Sequence, residues 1–283
     1  MVEHFTFDSG KKGTHIVFTG AVHGNEPCGP VAMEKIIQQI QNKELTLSTG
    51  KVTFIPICNP EAYAKDVRQI DANLNRICMK SESPSTYEAK IANELCALLE
   101  SLKADVLLDI HSFRTQGNPF CFVDFHTPAN ENFAHALGCD YMITGWDDAF
   151  EDDQDSYGVV SFAHDIGLHS ILVECGMNHS EESQQFAYQS IIKSLYYWGV
   201  IHQETIETDS KKSKRLHMDT VIFKEHEGHL TIPNNHFVFC KKDDVLAEYN
   251  AHPNFVMPYD GYIILPKADV PIGEEWFYIG KQT

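Results

Sequence analysis

An apolar strand that runs directly into a histidine and a glutamate constrains this chain more than any other feature. The strand-like run His15–Gly20 leads into Ala21-Val22-His23-Gly24-Asn25-Glu26, just before an amphipathic helical pattern. An imidazole and a carboxylate three residues apart on a strand-end loop can converge on one cation, and zinc accepts both ligand types. We therefore predict that His23 and Glu26 form half of a zinc site, with Gly24 permitting the tight turn.

Strand-like and helical patterns alternate over the first two thirds of the chain. Apolar residues recur at helical spacing in Val31–Ile40 and again from Tyr87 to Leu102, where Ser85-Thr86-Tyr87-Glu88 matches a capping box. Such alternation predicts a layered α/β domain with a largely parallel sheet, in which ligands bind beyond the carboxyl ends of the strands. The strand-like runs are His15–Gly20, Val52–Ile57, Asp105–Ile110, Phe120–Phe125, Tyr141–Thr144 and Ser170–Glu174.

The last third of the chain has a different pattern. A helix from about Glu182 to His202 closes the α/β part, and the polar stretch Glu204–Arg215 has the composition of a linker. After it come short apolar runs separated by Gly, Pro, Asn and Asp, which indicate strands and turns. We predict two domains: residues 1–205, which carry the site, and residues 216–283, a small β-rich domain.

Charge and composition exclude several classes of function. The 283 residues include 22 Lys and Arg against 40 Asp and Glu, a formal net charge of -18, which disfavours binding to nucleic acid. The N-terminal residues lack a basic segment followed by a long apolar one, and no apolar run is long enough to span a bilayer. We expect a cytoplasmic protein without a membrane segment, and a homo-oligomer is compatible with these features.

A second apolar strand supplies the missing ligand. Asp105–Ile110 is followed by His111, so that His23, Glu26 and His111 make a set of two histidines and one carboxylate. A catalytic zinc needs three such protein ligands and keeps its fourth position for water. Asp109 is placed to accept a hydrogen bond from a ligating imidazole. Its alternative role is that of a strand-end carboxylate that accepts backbone N–H groups.

Two further segments carry residues suited to amide hydrolysis. The stretch from Arg68 to Arg76 contains two arginines and Asn75 in an otherwise acidic chain, so it can bind a carboxylate or a developing oxyanion, with surface ion pairing as the alternative. Glu174 ends the buried strand pattern Ser170–Glu174. A carboxylate there could accept a proton from water and later deliver it to a leaving amine.

The order of these motifs resembles one family. His-Gly-Asn-Glu, Arg with Asn-Leu-Asn-Arg, Asp-Ile-His-Ser and Val-Glu-Cys-Gly follow one another as in the succinylglutamate desuccinylase and aspartoacylase family, relatives of zinc carboxypeptidases. The resemblance spans residues 15–180. It implies a three-layer α/β/α domain with a mixed sheet, followed by a small β domain.

The resemblance also implies roles for individual residues. One zinc per chain is held by His23, Glu26 and His111, and Glu174 is the general base and acid. Arg68 polarises the scissile carbonyl, and the substrate carboxylate is held by Asn75 and Arg76. The implied substrate is a small N-acyl amino acid, deacylated at its amide bond.

The chain departs from that family at the acyl end of the substrate. Where aspartoacylase has an arginine ten residues before the catalytic glutamate, this chain has His164, which offers no guanidinium fork and makes N-acetylaspartate a doubtful substrate. Nearby, the stretch Asp147–Asp155 holds six acids in nine residues. This acidic loop is either a solvated tip or a selector of substrates with a cationic side chain.

Two alternatives to the deacylase stay open. A zinc carboxypeptidase that trims a small peptide would use Asn75 and Arg76 in the same way, to bind an α-carboxylate. A catalytically silent zinc-binding relative would keep the fold, although such a relative is expected to lack at least one of the ligands, the acid or the arginines. Near the C-terminus, Trp276, Phe277 and Tyr278 either line the mouth of the site or pack in the core.

Overall fold

The fold is that of a computed structural model, which describes residues 2–149, 157–202, 213–233 and 235–283. Strands and helices alternate over the α/β part, and the elements described after it are strands. The strands are β1 (Phe5–Asp8), β2 (His15–Gly20), β3 (Lys51–Ile55), β4 (Val106–Phe113), β5 (Phe120–Phe122), β6 (Tyr141–Thr144), β7 (His169–Met177), β8 (Lys214–Phe223), β9 (Gly228–Leu230), β10 (Val238–Cys240), β11 (Val245–Tyr249), β12 (Phe255–Val256), β13 (Gly261–Ile264) and β14 (Glu275–Gln282).

Helices separate the strands of the α/β part. They are α1 (Cys28–Gln41), α2 (Pro60–Ala64), α3 (Tyr87–Leu102), α4 (Pro128–Leu137), α5 (Trp146–Ala149), α6 (Val159–Asp165) and α7 (Glu181–Tyr197), and a 3-10 turn lies at Leu74–Arg76. Helix α3 begins one residue later than the predicted capping box requires. Thr86 is its N-cap and accepts from the Ala89 N–H, so Glu88 is free to bond elsewhere. Within the described ranges, every helix is too short or too polar to cross a lipid bilayer.

One mixed sheet of eleven strands runs through the described part of the chain, in the order β1-β3-β2-β4-β7-β5-β6-β8-β14-β13-β10. Strands β3, β2, β4 and β7 are parallel to one another. Strand β5 runs antiparallel to β7 because too few residues connect β4 to β5 for the crossover that a parallel strand requires. The expected parallel pairing is confirmed within two blocks, these four strands and the three strands β5, β6 and β8, and the mixed sheet of the resemblance is confirmed.

Helices cover both faces of this sheet and give the predicted three layers. On β2, Ile16 and Phe18 pack with α1 and α7 on one face, whereas Val17 packs with α3 and α6 on the other. This is the alternation of a strand buried on both sides. Phe18 also stacks on Phe54, with ring centroids 5.5 Å apart, so replacing Phe18 with alanine would cost about 3–5 kcal/mol.

The C-terminal strands do not stand apart from the main sheet. Strand β8 pairs in parallel with β6, and β14, β13 and β10 extend the same sheet with antiparallel pairs. Strands β12, β11 and β9 form a separate three-stranded antiparallel sheet. The domain limits 1–205 and 216–283 stay a prediction, since residues 203–212 lie outside the described ranges.

Candidate metal centre and active site

The turn after β2 directs two side chains to the carboxyl edge of the sheet. Ala21 has a positive φ of 43°, so the chain reverses most sharply at this residue. Gly24 is required for a different reason than predicted. A Cβ on Gly24 would lie 2.1 Å from the carbonyl carbon of Ala62, so α2 can approach the turn only because residue 24 has no side chain. His23 and Glu26 follow from this turn, both buried.

The three predicted metal ligands meet at the Glu26 carboxylate. His23 Nδ1 lies 2.9 Å from one carboxylate oxygen, and His111 Nδ1 lies 2.9 Å from the other. Their donor atoms all fall within 4.8 Å of one another, and they form the one such cluster of histidine, cysteine and acidic side chains among the residues described. The ring centroids of the two histidines are 5.0 Å apart.

Outer partners fix both imidazole rings. His111 Nε2 lies 2.9 Å from Asp109 Oδ2, and Thr19 donates its hydroxyl to the other Asp109 oxygen at 2.7 Å. His23 Nε2 lies 3.0 Å from Asn73 Oδ1. With the outer nitrogen of each ring engaged by an oxygen, Nδ1 is the atom left to face the centre, which is how metal-binding histidines are usually oriented.

The two histidines differ in basicity because their carboxylate neighbours differ. Burial lowers the pKa of His23 to about 4, with a further contribution from the nearby Arg68 charge. Burial also disfavours a charge on His111, but Asp109 and Glu26 together outweigh it and raise its pKa well above the usual value. Burial acts to raise the pKa of Glu26, and both histidines hold it well below its usual value. The Glu26 carboxylate is therefore an anion, and in this structure it pairs with the side chains of His111 and Arg68.

The donor set fits zinc. Two imidazoles and one carboxylate are a ligand set found in catalytic zinc sites, which keep one position open. Four buried oxygens on the wall of the adjoining cavity have no hydrogen-bond partner among the described residues, which is the arrangement expected of a site that receives a ligand. They are Asn25 Oδ1, Ser112 Oγ, Glu174 Oε2 and Asn178 Oδ1.

Glu174 lies beside this centre on the neighbouring strand. It stands opposite His111 in the parallel register of β4 and β7, which places both at the carboxyl edge of the sheet. Burial, followed by repulsion from Glu26, raises the pKa of Glu174 to about 8. A carboxyl group in this environment can exchange a proton near neutral pH.

Arg68 and Arg76, the two arginines predicted for the site, line the same cavity in different ways. Arg68 donates from Nη1 to Glu26 at 3.2 Å and keeps its side chain partly exposed to the cavity. Arg76 bonds from Nη2 to Glu275 of β14 at 3.3 Å, and its guanidinium lies over the Trp146 ring, 4.6 Å from the centroid. The Asn75 side chain also lines the cavity, and its Oδ1 accepts from the Val159 N–H at 3.1 Å, which fixes it against the start of α6.

His164 does not line the cavity that the other predicted site residues share. Its ring stacks on Phe125, with centroids 3.8 Å apart and planes 9° from parallel. Val160 and Ser161 of the same helix line the cavity, and His164 is not part of that lining in the described chain. Most of the acidic stretch Asp147–Asp155 lies outside the described residues, so its predicted role in selection has no structural counterpart here.

The cavity over the centre has a volume of about 620 Å³ and is covered by the C-terminal strands. Glu275 and Tyr278 of β14 line it, and the Tyr278 hydroxyl donates to Glu275 at 2.7 Å. Trp276 and Phe277 pack in the core of the C-terminal part instead. Further residues on the covering and lateral walls are Arg114, Asp124, Leu265, Lys267, Asp269 and Glu274.

Tyr278 was one of the residues predicted to line the site or pack in the core, whereas Glu275 was not predicted. Lys267 donates to Glu275 at 2.9 Å, so one carboxylate joins Arg76, Lys267 and Tyr278. Burial alone would raise the pKa of Glu275, but Lys267 and Arg76 outweigh it and lower the pKa to about 2. The one available signal was an acid within an aromatic run at Glu275–Tyr278, which is too common a pattern to identify a site.

Comparisons with known proteins agree with this architecture. The sequence model of the succinylglutamate desuccinylase/aspartoacylase catalytic domain matches residues 12–188. A search of curated proteins by sequence finds no match.

Solved structures share the fold at low sequence identity. A succinylglutamate desuccinylase/aspartoacylase from Rhodobacter sphaeroides superimposes with a TM-score of 0.79 at 18% identity, over 96% of this chain and 87% of that one. The product-bound ectoine utilization protein EutE (DoeB) from Ruegeria pomeroyi gives 0.78 at 22% identity, over 99% and 89%. An aspartoacylase family protein from Mesorhizobium loti gives 0.73 at 16% identity, over 99% and 88%. The chain belongs to the succinylglutamate desuccinylase/aspartoacylase family of amide hydrolases.

Proposed function

We propose that the chain is a zinc-dependent deacylase that hydrolyses the amide bond of a small N-acyl amino acid. The observation that carries this proposal is the meeting of His23, Glu26 and His111 at one buried point, with Glu174 beside them on the next strand. The succinylglutamate desuccinylases among the solved relatives act, by name, on an acylated amino acid.

His23, Glu26 and His111 would hold one zinc ion. When bound, zinc supplies a Lewis acid that polarises a carbonyl oxygen and makes water more acidic. Glu174 takes a proton from the attacking water and delivers it to the amide nitrogen as the carbon–nitrogen bond breaks. The products are a carboxylic acid and a free amino acid, so atoms and protons balance.

The arginines have separate tasks. Arg68, at the edge of the Glu26 carboxylate, donates to the carbonyl oxygen as that oxygen gains negative charge, which is worth roughly 3 kcal/mol for one donor. Arg76 and Asn75 hold the carboxylate of the substrate. Because Glu275 already pairs with Arg76, the substrate must share this guanidinium with a protein carboxylate.

A role for His164 in substrate binding requires its ring to move away from Phe125. The position of Val160 and Ser161, on the same helix as His164 and on the cavity wall, supports such a role. We propose that His164 contacts the acyl group of the substrate, and kinetics of a His164→Ala variant with substrates that differ in their acyl group test this role.

The proposal is tested by hydrolysis of a panel of N-acyl amino acids and of C-terminally varied dipeptides. The enzyme is checked for its metal content, and Glu174→Ala is the control. Activity confined to N-acyl amino acids and lost in the variant supports the deacylase. Hydrolysis of the dipeptides supports the carboxypeptidase, and a zinc-loaded protein inactive on the whole panel contradicts both.

A further inference from the structure

Glu88 is a buried acid that bonds outside its own helix. It lies in the first turn of α3 with no exposed surface, and its carboxylate meets three consecutive backbone amides of another segment. Oε1 accepts from the Ile70 N–H at 2.6 Å, and Oε2 accepts from the N–H groups of Asp71 and Ala72, each at 3.0 Å. Asn59 Nδ2 adds a fourth bond, to Oε1, at 3.2 Å.

Four donors on one carboxylate fill its capacity to accept hydrogen bonds. Burial alone would raise the pKa of Glu88, but the N–H groups of Ile70, Ala72 and Asp71 outweigh it and lower the pKa. The helix N-terminus adds a favourable field for a negative charge. The anion is therefore stable where it lies, and a neutral group of the same shape would leave N–H groups unsatisfied.

The segment that Glu88 fixes is the one that carries residues to the metal centre. Arg68 precedes it, and Asn73, whose Oδ1 meets the outer nitrogen of His23, follows it. The Arg68 carbonyl also accepts from the Gly24 N–H at 3.1 Å. The chain just before residues 70–72 therefore contacts the turn that carries His23 and Glu26. A further hydrogen bond joins the segment to α3: Asp71 Oδ2 accepts from the Tyr87 N–H at 2.8 Å.

We propose that Glu88 is a positioning residue, which holds the 70–72 backbone so that the Arg68 guanidinium stays against Glu26 and the metal centre. The inference rests on the proposed function for its kinetic consequence, but its structural part does not. It gives Glu88 a task quite different from the local capping that the sequence suggested.

Amide hydrogen exchange tests the structural part on the full zinc-loaded chain. In Glu88→Gln, one oxygen becomes an NH2 group that faces N–H donors, so the amides of Ile70, Asp71 and Ala72 should exchange at least about tenfold faster. Glu100→Gln is the matched control, since Glu100 is an exposed acid on the same helix. Unchanged exchange at these three amides in Glu88→Gln would overturn the proposal.

A double-mutant cycle with Arg68 tests the kinetic part. Arg68→Ala alone should lower kcat on the order of a hundredfold. Glu88→Gln should lower kcat at least about tenfold in the wild-type background with KM nearly unchanged, and less than about threefold when Arg68 is already alanine. Equal losses in both backgrounds would show that Glu88 acts on overall stability and not through Arg68.

The two failures can be told apart. If the wild-type protein hydrolyses nothing in the panel, the proposed function fails, while the exchange of the 70–72 amides still decides the role of Glu88. If Glu88→Gln does not fold, Glu88→Asp is used, which keeps the charge and shortens the side chain by one methylene. Wild-type exchange and wild-type kcat in Glu88→Asp would equally overturn the proposal.

Discussion

The two sides of the cavity are built on different principles. The metal side consists of β2, β4 and β7, neighbouring strands whose ladders fix where His23, His111 and Glu174 stand. The covering side comes from residues 265–278, nearly a hundred positions further along the chain than Glu174, and reaches the cavity through side chains that pair with one another.

The difference shows in burial. On the metal side His111 and Glu26 are almost fully buried, each with several partners. On the covering side the side chains of Glu275 and Lys267 keep 20% and 41% of their surface exposed, and Arg76, which pairs with Glu275 from the other side of the cavity, keeps 18%. Rigid buried ligands suit a fixed chemical step, whereas partly exposed ion pairs can exchange one partner for a substrate carboxylate.

The largest expected effect is on the metal side. Glu26→Gln removes the anion on which both histidines converge, so bound zinc should fall from one per chain to almost none. Activity should fall on the order of ten-thousandfold. Metal analysis and initial rates measure both. Glu248→Gln, an exposed acid on β11, is the control, and full zinc content in Glu26→Gln would mean that another group binds the metal.

Glu174 should act without holding the metal. Glu174→Gln keeps the shape of the side chain but cannot take a proton, so kcat should fall about a thousandfold while zinc content stays at the wild-type level. Steady-state kinetics together with metal analysis test this. Loss of zinc together with activity would place Glu174 among the ligands and would weaken the proposed division of roles.

The ion pairs of Glu275 on the covering side should make the free energy of unfolding depend on pH. Because the pKa of Glu275 is about 2 in the folded protein and near 4.5 in the unfolded chain, its pairs contribute about 3 kcal/mol to the free energy of unfolding at neutral pH. A lowered pKa means that this contribution is complete above pH 4.5 and is lost as the pH falls from 4.5 towards 2.

Denaturant unfolding between pH 6 and pH 3 measures this contribution in the wild type and in Glu275→Gln. The variant should be less stable at pH 6, and its stability should fall less as the pH drops. Parallel curves for the two proteins would show that Glu275 is not held by Lys267 and Arg76.

The smallest expected effect concerns the affinity for the substrate. Arg76→Lys keeps the charge but loses the planar fork and much of the contact with the Trp146 ring, so KM should rise about tenfold with kcat nearly unchanged. Arg215→Lys, at a surface cluster with Glu131, is the control. A fall in kcat at constant KM would move Arg76 from binding to the chemical step.

The sequence alone predicted where most of the side chains on the metal side lie, while their roles stay predictions. Each of its groups follows directly from a recognisable strand, as His111 does from Asp105–Ile110, and parallel strands bring their carboxyl ends together. It was less informative about the turn itself. The positive φ falls on Ala21, and Gly24 is needed for the approach of Ala62, which depends on how α2 packs.

The covering side could not be predicted, for a physical reason. Glu275 meets Arg76 only because β8 and β14 extend the main sheet, a long-range pairing that leaves no periodic signal in either segment. Glu88 was likewise matched to a local capping pattern, although its partners lie at residues 70–72. Patterns in sequence report local periodicity, and these contacts join segments far apart along the chain.

Zinc titration of the metal-stripped protein addresses the metal side most directly. The chain is stripped with a chelator, zinc is added in steps up to two equivalents, and hydrolysis of the best N-acyl amino acid is measured at each step. If His23, Glu26 and His111 hold one catalytic ion, activity is absent at first, rises in proportion to added zinc and levels off at one ion per chain. Full activity in the stripped protein, or a plateau only beyond one ion, would refute a single zinc at this centre.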